Sequence, residues 1–374
     1  MSVKVCLGGN TLDYPRGGGH QWVYLNWALG LRAIGCQVTW LEMIDPRMPV
    51  EKAASLIGTL SARLNHYGLG ACLSVCSETD ENISPDVTAS CVDFELATEA
   101  DLFLNLCNVI PLDVVKRFSR SALVDIDPGL LQLWVSTGKV DLAQHDIYFT
   151  IGETVGESGA PFPDLGLKWH YTPPCVSLDW WSSHESAEDA PFTTVAHWFA
   201  GGWTGEDWQL DDKRAGFQPF LELPGQTPWP LELALDIESD SDEARGLRER
   251  GWRIRDAYSV ASTPWDYQRY IQESRGEFSC VKPACVRLQN AWVSDRTLCY
   301  LASGKPVVVE HTGASKFLPD SAGLFRFRNL QEAAACLDAV GADYERQCRL
   351  ARSLAEEYFD ARKVVGNVLE QALA

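Results

Sequence analysis

The same order of elements begins twice in this chain, and that repetition constrains the fold more than any single motif. Lys4–Leu7 reads as a short strand, Gly8–Gly19 as a glycine-rich turn, and Trp22–Ile34 as a helix with Trp22, Leu25, Leu29 and Ala33 at helical spacing. Gly35 stops that helix and Val38–Met43 is the next strand. Leu102–Leu104, Ser121–Asp125 and Ile147–Ile151 follow as strands, separated by helical stretches such as Glu51–Leu64 and Pro111–Phe118, whose proline suits a first helical position. A second start comes at Thr193: the strand Thr193–Phe199 runs into Ala200-Gly201-Gly202-Trp203. Strands Leu231–Asp236, Trp252–Ile254 and Lys305–Glu310 then alternate with helices Pro264–Glu273 and Ser294–Ala302. Alternation of this kind implies parallel sheets covered by helices on both faces.

A length of 374 residues exceeds what one core usually serves. Tyr171-Thr172-Pro173-Pro174 holds the chain extended, and Ser182–Ala190 is polar and acidic, so a boundary falls between Thr172 and Pro191. The expectation is two doubly wound α/β domains, over residues 1–175 and 176–355. A closing helical segment, 356–374, has its Val364, Val365, Val368 and Leu369 face to bury, and is expected to cross back to the first domain.

The formal charge of −19 argues against a nucleic-acid-binding surface. The 12 cysteines include no CxxC pair, which disfavours zinc and thioredoxin-like chemistry and suits reduced thiols. No stretch approaches the roughly 20 apolar residues of a membrane span, and the N-terminus lacks the pattern of a secretory signal. A cytoplasmic protein is the expectation.

In open α/β sheets ligands bind beyond the carboxyl ends of strands, and three loops there carry unusual residues. Tyr14-Pro15-Arg16-Gly17-Gly18-Gly19-His20 opens the first helix, where glycines and the helix start admit an anion and His20 has a pKa suited to taking a hydroxyl proton. The same residues could form a tight turn with a capping histidine. Val124-Asp125-Ile126-Asp127-Pro128-Gly129 brings two carboxylates, Asp125 and Asp127, that could orient acceptor hydroxyls or bind a metal, or could equally cap the next helix. The sequence identifies no further metal ligands, so no metal site is expected.

The third segment, Ser274–Lys305, is the most informative. Lys282, Arg287 and Arg296 are three cations in a largely apolar stretch of an acidic protein, and buried charges need partners. A nucleoside diphosphate would supply one. Internal pairing with Glu277 and Asp295 could account for two of the three. Ser294-Asp295 opens a helix, a natural place for a ribose or phosphate contact.

Ser294-Asp295-Arg296-Thr297-Leu298-Cys299-Tyr300-Leu301-Ala302-Ser303-Gly304-Lys305-Pro306-Val307-Val308-Val309, followed by His311-Thr312-Gly313, resembles the donor-site helix and loop of GT-B glycosyltransferases. Many members carry an Arg-Thr-Phe-Glu-Ala-(Leu/Met)-Ala-x-Gly-x-Pro-Val version. The resemblance extends to Phe317-Leu318-Pro319, Gly323-Leu324 and Ala355–Asp360, and the chain is similar over nearly its whole length to uncharacterised bacterial glycosyltransferases. It departs from the family at Cys299, where a glutamate often binds the donor ribose; Glu277 and Asp295 are the candidates to replace it. His20 is similar in placement to the catalytic base of inverting members, without their usual downstream proline.

The resemblance implies two Rossmann-like domains facing across a cleft, and a metal-independent glycosyltransferase of the hexosyltransferase type. An acceptor nucleophile, on a small molecule or a glycan, would attack the anomeric carbon of a nucleotide-activated sugar while His20 accepts the proton. A UDP-sugar is the expected donor, with GDP- or TDP-sugars as alternatives, and no separate cofactor is implied. Lys282, Arg287 and Arg296, with N–H groups near Gly18-Gly19, Gly201-Gly202 and His311-Thr312-Gly313, would hold the diphosphate, and Trp203 could stack on a base or sugar. Two other readings are a nucleotide-sugar 2-epimerase of the same fold and a non-catalytic nucleotide-sugar binding protein.

Overall fold

The computed structural model describes residues 2–79, 81–199 and 212–374. Gly201, Gly202 and Trp203 lie outside the described residues. The chain divides into two compact units: residues 1–156, 163–177 and 361–374 form the first, and residues 157–162 and 178–360 the second.

The first unit is built on seven strands: β1 (Lys4–Gly9), β2 (Gln37–Ile44), β3 (Leu73–Ser77), β4 (Leu102–Asn105), β5 (Ser121–Asp125), β6 (Ile147–Thr150) and β7 (Trp169–Tyr171). Their order is β3-β2-β1-β4-β5-β6-β7, and every pairing is parallel. The strands are apolar and buried, as a sheet covered on both faces requires. The helix Gly18–Ala33 buries far more than one stripe: Tyr24, Asn26, Trp27, Ala28 and Leu31 are enclosed along with Trp22, Leu25 and Leu29. The reason is the closing helix, Ala361–Leu373, which packs against its far side. Gly30 is the point of closest approach, since a Cβ there would lie 2.7 Å from Ala361 Cβ. Val364, Val365, Val368 and Leu369 are buried on that helix, and the Arg120 guanidinium donates to the Ala372 carbonyl at 2.8 Å.

The second unit carries β8 (Phe192–Ala196), β9 (Leu231–Leu235), β10 (Arg253–Asp256), β11 (Gly276–Ser279), β12 (Val307–Glu310) and β13 (Leu324–Phe327), in the parallel order β10-β9-β8-β11-β12-β13. Its core is aromatic, with Phe278 stacked on Phe327 and Phe217 packed between Trp198 and Trp252. Both sheets therefore reverse direction between their first strand and the fourth in sequence, the arrangement that opens a crevice at the strands' carboxyl ends.

Several elements differ from the sequence expectation for local reasons. Pro111 is the N-cap of a short helix, Leu112–Val115, rather than its first residue, because its backbone is extended (φ −62°, ψ 147°). β11, Gly-Glu-Phe-Ser, has no apolar alternation; Glu277 is tolerated in a central strand because a side chain elsewhere neutralises it. Asn329 caps its helix through the Glu332 N–H, but the Glu332 carboxylate returns to the Arg328 N–H rather than to that of Asn329.

Candidate functional site

In the second unit the reversal lies between β8 and β11. These strands pair only at Gly276 with Phe192 and Glu277 with Thr193. Beyond that point the Val195 carbonyl accepts from Arg296 Nη1 at 3.1 Å, so a guanidinium stands where the strand ladder stops. Arg296 Nε donates to Glu277 Oε1 at 2.8 Å, and Ser279 Oγ donates to the same oxygen at 2.9 Å. Glu277 is wholly enclosed and the Arg296 side chain is 12 % exposed. Glu277 thus faces the guanidinium rather than an open site.

Three cations gather around this gap. Lys213 opens a short helix, Lys213–Phe217, and its Nζ donates to the Cys280 carbonyl at 2.7 Å. Burial, with the positive charges of Arg296 and Lys282 adding to it, pushes the Lys213 ammonium down to about 8. Lys282 is the N-cap of the helix Pro283–Leu288 that follows β11. The short helix is held against this loop at Gly216, where a Cβ would come within 1.8 Å of the Val281 carbonyl oxygen. Sequence reading missed Lys213, because it follows a tryptophan-rich acidic stretch of sequence and sits in no recognisable motif. Three positive charges thus stand at the crevice where the two strands part. Arg287, at the end of the same helix, is exposed.

Glu310, at the end of β12, was also missed. Its Oε2 accepts the Val281 N–H at 2.9 Å, and burial pushes the carboxyl up to about 7. His197 Nδ1 lies 3.0 Å from Asp236 Oδ2, after β8 and β9, and Tyr258 donates to the same oxygen.

The helix Asp295–Ala302 is capped by Ser294, whose Oγ accepts the Arg296 N–H. Asp295 is half-buried in its first turn, whereas Cys299, at the family's glutamate position, is buried. His311-Thr312-Gly313 closes on this helix. The Thr312 hydroxyl donates to the Trp292 carbonyl at 2.7 Å, and the Gly313 N–H donates to His311 Nδ1 at 3.1 Å. Nδ1 being the acceptor, the neutral ring carries its proton on Nε2, which is buried without a hydrogen-bond partner. Burial, with Arg328 and Arg326 near, holds the ring's pKa low. Gly313 has φ +129°, and a Cβ there would lie 2.7 Å from Gln289 C; Gln289 and Ala291 opposite it are themselves left-handed, at φ 47° and 58°. Strained backbone of this kind collects at binding sites.

In the first unit Gly18 and Gly19 are the first residues of the helix Gly18–Ala33, whose first turn holds no acidic side chain. His20 Nε2 lies 2.6 Å from the Asn10 carbonyl, and the ring packs between Tyr14 and Tyr24. A carbonyl only accepts, so Nε2 carries the hydrogen and Nδ1 is the basic nitrogen of the neutral ring. Asp125 is buried at the end of β5. Its Oδ2 accepts from Gln132 at 2.9 Å and from Thr150 at 3.0 Å, and its Oδ1 accepts the Asp127 N–H at 3.0 Å. Burial pushes its carboxyl up to about 7. Both oxygens therefore hold the loop, while Asp127 is exposed. Among the described residues no group of three or more His, Cys, Asp or Glu side chains is disposed to hold a metal ion, and no helix is long and apolar enough to cross a membrane.

No protein family model and no curated protein matches the chain. Solved structures do. Sucrose-phosphate synthase from Thermosynechococcus elongatus is similar over 99 % of this chain and 98 % of its own, with a TM-score of 0.54 and 12 % identity. Anabaena HepE, solved in complex with UDP-glucose, is similar over 98 % of each chain, with a TM-score of 0.58 and 14 % identity. An alpha-glucosyltransferase, solved with UDP and a 13-mer DNA, is similar over the full length of both chains, with a TM-score of 0.61 and 11 % identity. At these identities the likeness shows the fold: two Rossmann-like α/β units, as in GT-B glycosyltransferases.

Proposed function

We propose that the chain is a glycosyltransferase that moves a hexose from a UDP-sugar to an acceptor nucleophile without a metal ion. The observation that carries this reading is the gathering of Lys213, Lys282 and Arg296 at the strand-end gap of the second unit, where burial first, and then the charge of Arg296, lower the Lys213 pKa. A departing diphosphate would neutralise them, doing electrostatically what a divalent cation does elsewhere. The N–H groups around His311-Thr312-Gly313 and Gly201-Gly202, with Arg287, would complete its cradle. Asp295 is the carboxylate proposed for the donor ribose, and Glu277 is proposed to position Arg296 instead. UDP is favoured over GDP or TDP because structural neighbours were solved with UDP or UDP-glucose.

In the reaction the acceptor oxygen bonds to the anomeric carbon as the bond to the diphosphate breaks. The acceptor proton passes to His20 Nδ1, and the negative charge leaves on UDP. Although one neighbour was solved with DNA, a small molecule or glycan is proposed as acceptor here, because a chain of net charge −19 repels a polyanion. The epimerase reading needs several reachable carboxylates, and Asp125 and Glu277 are enclosed.

The test is to incubate the purified chain with UDP-hexoses and a panel of sugar acceptors, with EDTA present, and to follow UDP release. Acceptor-dependent UDP release supports the reading. Sugar interconversion without acceptor would make the chain an epimerase, and UDP binding without turnover a binding protein.

A further inference from the structure

The second unit holds a cavity of about 920 Å³ on the side where the chain enters β8 and β12, whereas the cation cluster lies where the chain leaves β8 and β11. Its lining comes from the segment that leads into β8, from the Ser303-Gly304 turn before β12, and from the helix Tyr344–Tyr358. Two polar groups at this turn are buried and lack any hydrogen-bond partner: Ser303 Oγ, which lines the cavity, and Lys305 Nζ. Both residues are 0 % exposed. The groups that act on the Lys305 charge, Cys348 and Glu185, are themselves lining residues, which places the ammonium behind the cavity wall. Arg349 adds an exposed guanidinium at the same wall.

The surroundings are built rather than loose. Arg352, also on the lining, ties the wall together by donating to the Trp181 and Ala302 carbonyls and to Glu356. Gly304, at φ +68°, turns the chain between Ser303 and Lys305, and the Ser303 carbonyl accepts the His184 N–H at 3.1 Å. A buried ammonium without an acceptor is costly, and burial pushes this one down to about 8. A wholly structural lysine would be expected to reach solvent or a carboxylate.

We infer that this cavity is a second ligand site, which takes the phosphate of a phosphorylated polyol at the Ser303–Arg349 wall, with the Lys305 charge behind that wall attracting it. Inorganic phosphate alone would meet repulsion from Glu185 and Glu345, which also line the space. Those carboxylates instead accept hydrogen bonds from the hydroxyls of a sugar body. The inference does not depend on the proposed transferase activity, because the site lies at the other end of the strands.

The experiment is calorimetric titration of the full chain with glucose 6-phosphate, glucose and inorganic phosphate, repeated on Lys305→Met, Arg349→Gln and Lys213→Met. The expected result is saturable binding of glucose 6-phosphate, at least tenfold tighter than inorganic phosphate, with none for glucose. Lys305→Met and Arg349→Gln should each weaken it tenfold or more, while Lys213→Met leaves it unchanged. Lys305→Met should also raise Tm, since an apolar chain replaces an unpaired buried charge. Arg349 is exposed, so its variant carries the test even if Lys305→Met misfolds. Absence of binding at millimolar concentration overturns the inference. So does binding that survives Lys305→Met and Arg349→Gln but is lost in Lys213→Met, and inorganic phosphate binding as tightly as glucose 6-phosphate overturns the polyol assignment.

Discussion

Arg296 Nε lies 2.8 Å from Glu277 Oε1, and this pair bridges the helix Asp295–Ala302 to the central strand β11 where its ladder with β8 ends. One residue of each hydrogen-bonded pair is thereby fixed from both sides, since the guanidinium also holds the Val195 carbonyl. The charge therefore has a structural part to play.

Arg296→Ala should accordingly destabilise the fold by about 3–5 kcal/mol, because it leaves Glu277 buried and uncompensated. Adding Glu277→Gln should recover part of that loss. Urea denaturation of the two variants checks this; a single variant as stable as the parent would remove the pair from the list of stabilising contacts.

Lys213 is the better probe of ligand affinity, as among the described residues its ammonium bonds a carbonyl and pairs with no carboxylate. Lys213→Met should weaken UDP binding by roughly 1.5–3 kcal/mol, the range for hydrogen bonds to charged groups, with Tm little changed. The same measurement has a pH signature. A lysine pushed down to about 8 is charged below that pH and neutral above it, so UDP affinity should fall as pH rises from 7.5 to 9.5. Lys213→Arg should flatten the profile, because arginine stays charged.

Gly216→Ala places a methyl group where only 1.8 Å separates it from the Val281 carbonyl oxygen. Backbone cannot swing aside as a side chain can, so the Lys213–Phe217 helix must move from the loop that carries Lys282. The expected outcome is a lower Tm and UDP binding reduced at least as far as in Lys213→Met; normal affinity would show that the cations do not act together.

His20→Ala should lower kcat by about 10²–10⁴ if Nδ1 is the general base, with UDP affinity unchanged. A modest fall in Tm accompanies it, because the ring packs on Tyr14 and Tyr24 and holds the Asn10 carbonyl. Near-normal kcat in acceptor-saturated assays would return His20 to a purely structural part.

Activity should survive EDTA. Turnover lost on chelation and restored by Mg²⁺ or Mn²⁺ would point to Asp127, because both Asp125 oxygens already accept hydrogen bonds within the loop.

Local pattern was enough to reveal the strand–turn–helix start of the first unit, the strand that opens the second, the Asn329 and Ser294 caps and the apolar face of the closing helix, since these depend on residues a few positions apart. The segment Ser274–Lys305 stood out for a different reason: its cations are conspicuous in an apolar stretch of an acidic protein. Which of the charges are buried and which are paired was decided only by tertiary structure. Glu277 looked reachable in sequence and is enclosed against Arg296, nineteen positions on; Asp125 looked like half of a carboxylate pair and is saturated by Gln132 and Thr150. Lys213 carried no signal, because what makes it a candidate is proximity to Cys280, Lys282 and Arg296, residues far away in sequence. Burial and charge pairing arise from contacts between distant segments, so local pattern identifies the elements and the fold assigns the charges their work.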